Sequence, residues 1–309
     1  MHVDPSDIRL SITPFSAVSY IYHGGRPRSE RFLNQYRDNF KQIRTDNLLS
    51  MNSARKVRRA INWLVSTSNE KSVYSKEMKK YIKYRLSFVT LTLPSKQVHS
   101  DLLIKKECLN VFLQWIRDKY NVTKYVWRSE IQKNGNIHFH ITMDKFVYHK
   151  DVRRAWNRNI EKLGYVSRFE EVHGHRQPPS TEIKAVKKAK NLSAYLTAYL
   201  SKSKSGHGKK MKEEYNSRII EGRLFGVSSY LSGIKPFSIS ADVGDFFDVL
   251  RKLRHGSERE FVTDYSNVFY YDIGFLQHFI CYLSDIYGGE FITSTGLDRS
   301  DLKSLLVAA

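Results

Sequence analysis

The sequence has 309 residues, of which 41% are hydrophobic, enough to bury a sizeable core. Its 51 Lys and Arg residues exceed its 31 Asp and Glu residues, and the net charge of +20 favours a polyanionic partner such as nucleic acid. The two cysteines, Cys108 and Cys281, exclude a disulfide framework and a cysteine-rich zinc site and favour a reducing cytoplasm. No uninterrupted apolar run predicts a membrane span.

The first predicted element is a helix from Asn52 to Leu64, where apolar residues recur at helical spacing. Asn52 or Ser53 is placed to cap its N-terminus. Basic side chains at 55–59 surround this helix and suit either phosphate contacts or a solvated face. The rest of the first 80 residues is basic and is expected to be partly helical.

The middle of the chain predicts seven elements in the order β-α-β-β-α-β-α. The strands are predicted at 85–93, 123–132, 136–143 and 182–186, and the helices at 100–118, 150–163 and 191–202. This order predicts an α+β fold of the split βαβ, ferredoxin-like kind, an antiparallel sheet with helices on one face. The other face is then open to a ligand. On the first of these helices, the residues predicted to be buried are Ile104, Cys108, Val111 and Trp115.

Residues 137–141 (IHFHI) carry two histidines in strand alternation. His138 and His140 therefore share one face of the strand, opposite an apolar stripe. Two imidazoles on one face are a natural pair of metal ligands. A second pair, His173 and His175, lies in a predicted loop, where we expect no metal site and at most a DNA contact.

The register of the preceding strand decides the third ligand. A two-residue turn at 134–135 would set Ile131 opposite His138 and break the apolar stripe. A three-residue turn, with Gly135 in the left-handed region, pairs Ile131 with Ile137 instead. We prefer the second register, because it keeps the apolar stripe intact.

In this register Glu130 lies opposite His138, and Arg128 lies opposite His140. Glu130 is thus the predicted third ligand, and Gln132 on the same face is its substitute. Two histidines and one carboxylate suit Mg²⁺ or Mn²⁺ bound together with a phosphate oxygen.

The last predicted helix contains Tyr195 and Tyr199, which share one face at i and i+4, with Lys202 three residues further on. A tyrosine can attack a phosphodiester that is polarised by a divalent ion, and a nearby lysine can stabilise the developing charge. Tyrosines at helical spacing also suit simple packing, so this motif alone leaves both interpretations open.

Three motifs occur together in order: FVTLTL (88–93), GNIHFHIT (135–142) and AYLTAYLSK (194–202). Together they resemble the HUH endonuclease superfamily, specifically the replication initiators (Rep) of single-stranded DNA phages and small rolling-circle plasmids. The resemblance covers roughly residues 85–205. A further box at 222–228 (GRLFGVS) is similar to a segment common downstream in such proteins, and we predict only a turn there.

The resemblance implies a nickase that cuts and rejoins single-stranded DNA at an origin. His138, His140 and Glu130 would hold Mg²⁺ or Mn²⁺ against the scissile phosphate. Tyr199 would attack and stay linked to the 5′ phosphate, with Tyr195 as an alternative nucleophile.

One departure from the family pattern affects the first tyrosine. Relatives often carry a lysine three residues after each tyrosine. Lys202 fits this for Tyr199, but Tyr195 is followed by Ala198, so we rank Tyr199 first.

The expected DNA contacts are polar residues of the open sheet face: Thr90, Thr92, Arg128 and Gln132. We divide the chain into the basic region 1–80, a nuclease domain at 81–206 and a C-terminal accessory region at 207–309, where residues 241–309 read as mixed helix and loop. No G-x-x-x-x-G-K-[ST] motif occurs, so a host helicase and polymerase are the expected partners in the host cytoplasm.

Two other functions fit parts of this pattern. An HUH transposase or plasmid-mobilisation relaxase would use the same chemistry in another DNA context. A non-catalytic nucleic-acid-binding protein with a ferredoxin-like sheet would account for the charge and the aromatic content alone.

Overall fold

The computed structural model of the chain describes residues 8–22, 46–75, 79–186, 196, 218–240, 245–263, 266–288 and 295–307. The chain divides into two compact units. One is Thr45–Ser232, and the other joins Met1–Arg44 to Gly233–Ala309. The functional boundaries expected at residues 80 and 206 stay a prediction.

The helices and strands are given in chain order. The first half has β1 (Ile8–Thr13), β2 (Ser16–Ile21), α1 (Met51–Ser66), β3 (Lys71–Ser75), β4 (Lys80–Tyr84), β5 (Leu86–Leu91), α2 (Asp101–Ile104 and Asn110–Tyr120, joined by the π-helical segment Lys105–Leu109), β6 (Tyr125–Ile131) and β7 (Ile137–Met143). The second half has α3 (His149–Glu161), α4 (Tyr165–His173), β8 (Thr181–Val186), β9 (Phe225–Val227), α5 (Ser229–Gly233), β10 (Phe237–Ser240), α6 (Phe246–Gly256), β11 (Arg259–Val262), β12 (Ser266–Tyr270), α7 (Ile273–Tyr287) and α8 (Arg299–Val307).

The unit Thr45–Ser232 contains a five-stranded antiparallel sheet, here called the central sheet, with the order β8-β5-β7-β6-β9. The four strands predicted in the middle of the chain are its first four, and the predicted α+β fold is confirmed. Their order in space is that of a split βαβ sheet. One face is apolar and fully buried, through side chains such as Val89, Phe139 and Ile141. Phe112 of α2 and Trp156 of α3 are likewise fully buried.

The π-helical segment of α2 changes which residues of that helix are buried. Ile104 and Cys108 are fully buried, as predicted. A π turn adds one residue to the helical repeat and moves the buried stripe one position along the chain. After it, the buried residues are Phe112, Leu113 and Ile116. The prediction that Val111 and Trp115 are buried was therefore wrong, and both are only half-buried.

The sequence pattern did not predict α4. Gly164, with a φ of 74°, marks the N-terminal boundary of α4, and Gly174, with a φ of 71°, follows its last residue. His173 is thus the end of a helix, not part of a loop. His173 and His175 both contact the ring of Phe169, at 4.2 and 5.3 Å between ring centroids.

Helix α1 is confirmed, but its cap is Ser50 and not Asn52 or Ser53. The Ser50 hydroxyl accepts a hydrogen bond from the Ser53 amide at 3.2 Å, which satisfies one of the unpaired amides of the first turn. Its apolar stripe is buried, and the basic side chains at 55–59 on the other side are exposed.

The box at 222–228 contains an edge strand and not only a turn. Phe225–Val227 form β9, which pairs with β6 of the central sheet. Gly226 is required there, because a Cβ atom would lie 2.2 Å from Nε1 of Trp127. The box therefore closes the central sheet against Trp127.

The second unit contains another five-stranded antiparallel sheet, here called the terminal sheet, with the order β10-β1-β2-β12-β11. Its strands come from both ends of the chain. The sequence predicted helix and loop in these regions, so the sheet is an unpredicted feature. No helix within the described ranges is long and apolar enough to cross a membrane. The helix expected at 191–202 lies outside these ranges, except for Leu196, which is helical and fully buried.

Candidate metal centre

The hairpin of β6 and β7 positions the predicted ligands. The Gly135 amide donates to the Gln132 carbonyl at 2.9 Å, and Gly135 has a φ of 83°, which favours glycine. Ile131 pairs with Ile137, Glu130 with His138, and Arg128 with His140. The register preferred from the sequence is therefore confirmed.

Glu130, His138 and His140 converge on one point of the central sheet. His138 Nε2 and His140 Nε2 are 3.2 Å apart. Glu130 Oε2 lies 3.7 Å from His138 Nε2 and 3.5 Å from His140 Nε2. Among the residues that the structure describes, these three form the one group of His, Cys, Asp and Glu side chains that could hold a metal ion.

These separations fit the binding of one divalent ion. An ion about 2.1–2.2 Å from each ligand sets neighbouring ligand atoms about 3.0–3.6 Å apart in octahedral or tetrahedral geometry. The donor set of two imidazole nitrogens and one carboxylate oxygen also suits a divalent metal. The geometry and the chemistry of the three side chains are thus those of a metal-binding site.

Two residues of β5 orient His140. A hydrogen bond of 3.2 Å joins Thr90 Oγ1 to His140 Nδ1, and the Phe88 ring stacks on the imidazole with the centroids 5.4 Å apart. A partner on the far nitrogen fixes the ring and directs the other nitrogen towards the metal. Thr90 was expected to contact DNA, and the structure places it behind a predicted metal ligand.

The other residues expected to contact DNA differ in position. The Thr92 hydroxyl donates to the Ser180 carbonyl at 3.1 Å, and Gln132 is half-buried. Arg128 is fully buried, which contradicts a direct contact with DNA. The close packing around this arginine leaves its guanidinium no access to a strand outside the protein.

Arg128 instead lies beside the acidic ligand. Its Nε is 3.3 Å from Glu130 Oε1, and its Nη2 donates to the Asn47 carbonyl at 3.0 Å. The guanidinium therefore supports the carboxylate from the side opposite the histidines. The sequence pattern contained a signal for this role, because Arg128 and Glu130 are two residues apart on one face of a strand.

Asn47 connects this arginine to a segment far away in the sequence. Its Nδ2 donates to the Arg218 carbonyl at 2.7 Å, and its Oδ1 accepts from the Ile220 amide at 2.8 Å. Asn47 is almost fully buried. No local sequence pattern indicates this role, because both partners lie more than 170 residues further along the chain.

Arg218 also fixes the turn of the metal-binding hairpin. Its Nε donates to the Gly135 carbonyl at 2.9 Å, and its two terminal nitrogens bind Asp101 at 2.6 and 2.9 Å. Burial alone would raise the pKa of the Asp101 carboxyl. Hydrogen bonds from Arg218, from Gln97 and from the Glu221 amide outweigh burial and hold that pKa below its ordinary value.

The predicted nucleophiles and their lysine, Tyr195, Tyr199 and Lys202, lie outside the described residues. Their roles therefore stay predictions. Within this segment the structure describes Leu196 alone, as a buried helical residue.

Residues 86–204 match a family model for replication-associated proteins of the ORF2 type. The matched segment contains the metal-binding hairpin, the rest of the four predicted strands and the tyrosine motif. No curated protein and no solved structure matches the chain. The family match supports a Rep-like protein with a role in replication.

Proposed function

We propose that the protein is a replication initiator that nicks and rejoins single-stranded DNA at an origin, through a covalent 5′-phosphotyrosine, and so starts rolling-circle replication. The observation that carries this proposal is the convergence of Glu130, His138 and His140 on one sheet face, inside the segment that matches a replication-associated family. The ordered tyrosine motif of the same segment supports it further.

The proposed cleavage is a transesterification. The phenolate oxygen of Tyr199 attacks the scissile phosphorus, and the bond from phosphorus to the 3′ oxygen breaks. The leaving 3′ oxygen takes up a proton, and the 5′ phosphate stays on the tyrosine. One phosphodiester replaces another, so the same steps in reverse rejoin the strand without a further energy source.

Each residue has a part in this scheme. Glu130, His138 and His140 would hold Mg²⁺ or Mn²⁺, which when bound polarises the scissile phosphate and stabilises its charge. Lys202 stabilises charge near Tyr199, and Tyr195 is a second nucleophile for strand rejoining. Host enzymes would supply the helicase and polymerase activities in the host cytoplasm.

The open side of the metal centre would receive the DNA strand. Thr92 and Gln132 lie next to the strands that carry the ligands and remain candidate contacts. Thr90 would act on the DNA only through His140, and Arg128 only through Glu130, because each contacts a ligand side chain directly.

The test is a denaturing gel of the protein incubated with Mn²⁺ and a labelled single-stranded circle that carries the candidate origin. We expect a labelled band at the mass of the protein. Chelation of the metal with EDTA and the substitution His138→Ala should both remove it. His173→Ala is the matched control, because that histidine is exposed and lies outside the metal centre.

Tyrosine variants identify the nucleophile. Tyr199→Phe should abolish the band, or leave it to Tyr195, in which case only the double variant with Tyr195→Phe abolishes it. A labelled adduct in the double variant would contradict the proposal, as would no adduct with any origin strand. A cut mapped to the end of a mobile element would assign the same chemistry to transposition.

A further inference from the structure

The terminal sheet has one buried face and one face open to solvent. Along β1 and β2 the side chains alternate between the two, and Leu10, Ile12 and Ala17 on the inner side are fully buried. On β12 and β10, Phe269 and Phe237 belong to the same buried layer. The residues between them belong to the other face, because successive strand residues point to opposite sides.

That open face carries four aromatic rings and two arginines, and we call it the aromatic face: Arg9, Tyr20, Tyr22, Arg259, Phe261 and Tyr270. The register places them on one side, because Arg9 pairs with Tyr20 and Arg259 pairs with Tyr270. Phe261 pairs with Val268, two residues before Tyr270 and on its side. The Arg9 guanidinium lies 5.3 Å from the ring centroid of Tyr22.

Three of these rings are exposed to an extent that folding does not explain. Phe261 is 52% exposed, Tyr270 45% and Tyr22 44%. Most remaining positions of the aromatic face hold small side chains, such as Ser11, Ser238 and Ser266, which leave the rings room above the sheet. A cluster of exposed rings on one face is typical of a binding surface.

The charge of the aromatic face selects its partner. Its strand positions within the described ranges hold two arginines and no acidic residue. Glu260 lies on the same strand as Arg259 but on the other side, where it pairs with Arg254 at 3.0 Å. A second copy of the chain would bring arginine against arginine across a twofold axis, whereas a phosphate backbone complements this charge.

The arrangement of the rings favours an unpaired strand. Tyr22 directly follows β2 and lies two residues after Tyr20, at about 6.6 Å along an extended chain. Tyr270 and Phe261 are diagonal neighbours on adjacent strands, at about 7–8 Å. Rings on a sheet can stack on bases only when these are not already stacked in a duplex.

We infer that the aromatic face is a binding site for single-stranded DNA, separate from the metal centre. The bases stack on its tyrosines and phenylalanine, and Arg9 and Arg259 contact the phosphates. The choice of DNA over RNA rests on the replication-associated match. The binding itself does not depend on the nicking chemistry.

The test measures the affinity of the full chain for a fluorescein-labelled oligothymidylate by fluorescence anisotropy, with EDTA present. The double substitution Phe261→Ala and Tyr270→Ala should weaken binding by at least about tenfold, since each stacked base contributes substantially to binding. Tyr270→Phe keeps the ring and should stay within about twofold of the wild type. Arg259→Gln should reduce the salt dependence by about one phosphate contact.

The matched control is Phe247→Ala, because Phe247 is 63% exposed but lies on α6, outside the aromatic face. It should leave the affinity unchanged. An equal loss in this control, or an unchanged affinity in the double variant, would overturn the inference. Tighter binding of an oligouridylate by more than about tenfold would assign the face to RNA and overturn it also.

Cross-linking separates this inference from the proposed function. An oligothymidylate that contains iododeoxyuridine should cross-link to peptides of β2, β11 or β12, whether or not the protein forms a tyrosine adduct. Cross-links confined to residues 86–204 would overturn the inference and leave the nicking proposal intact. A concentration-dependent dimer that Phe261→Ala dissociates, with DNA affinity unchanged, would show instead that the face binds a second copy.

Discussion

The central sheet and the terminal sheet are alike in size and differ in how their second faces are built. Each has five antiparallel strands and one apolar face that is buried. The second face of the central sheet carries Glu130 and His140, which are 6% and 4% exposed. The corresponding face of the terminal sheet carries rings that are about half exposed.

The difference teaches that a face of ionisable ligands needs support from elsewhere in the fold. A buried carboxylate is stable only if its hydrogen bonds and charge are satisfied. Arg128 and Asn47 support Glu130, and Arg218 fixes the hairpin turn. Aromatic and serine side chains need no such support. Distant substitutions should therefore affect the metal centre, whereas the aromatic face should respond only to substitutions within it.

The largest effect should come from Trp156→Ala. Its indole donates to the Thr92 carbonyl at 2.7 Å, and its ring packs edge-on against Phe139, between the two histidines in sequence. We expect the free energy of unfolding to fall by about 3–5 kcal/mol in urea denaturation, and Mn²⁺ binding to weaken. Phe269→Ala, in the core of the terminal sheet, should be similarly destabilising and leave Mn²⁺ binding unchanged. Equal effects of the two variants on Mn²⁺ binding would break the comparison.

Arg218→Ala should have the next largest effect and a distinctive pH dependence. Because the folded-state pKa of Asp101 is lowered, its contribution is fully present above the unfolded value of about 3.9 and is lost as the pH falls through the folded value. Without Arg218, Asp101 would be a buried carboxylate with a raised pKa, and the loss should be about 3 kcal/mol at neutral pH.

Urea denaturation at neutral and acidic pH checks this prediction. The difference in stability between wild type and variant should shrink below about pH 4, where the wild type has lost the contribution of the pair. A pH-independent difference would mean that Arg218 acts by packing alone. Arg254→Ala is a control, because its ion pair with Glu260 is largely exposed and should contribute little.

Arg128→Met tests the support of the metal centre directly. The substitution retains much of the side-chain volume and removes the charge beside Glu130, so we expect the affinity for Mn²⁺ to fall by about 10–100-fold, as measured by titration calorimetry. Arg9→Met makes the same change on the terminal sheet and should leave Mn²⁺ affinity unchanged. If Arg128→Met binds Mn²⁺ as the wild type does, the arginine is a structural neighbour and not a positioning residue.

The same contrast explains what the sequence could predict. The hairpin register followed from local features, namely the alternation of 137–141 and a glycine suited to a positive φ. The metal ligands followed from that register. Pairing of β1 with β10 could not be predicted, because it joins residues more than 220 positions apart. The burial of Arg128 also depends on distant residues, and the π segment of α2 leaves no periodic pattern to detect.

The smallest effect should come from Ser50→Ala, close to the support of Glu130 but not part of it. Loss of the cap of α1 should lower the free energy of unfolding by about 1 kcal/mol. Mn²⁺ affinity should not change, because Asn47 is held by the Arg218 carbonyl and the Ile220 amide. Asn47→Ala, three residues away, should weaken Mn²⁺ binding towards the level of Arg128→Met. If the two substitutions have the same effect on Mn²⁺, the support acts through the whole 46–50 segment and not through the side chain of Asn47.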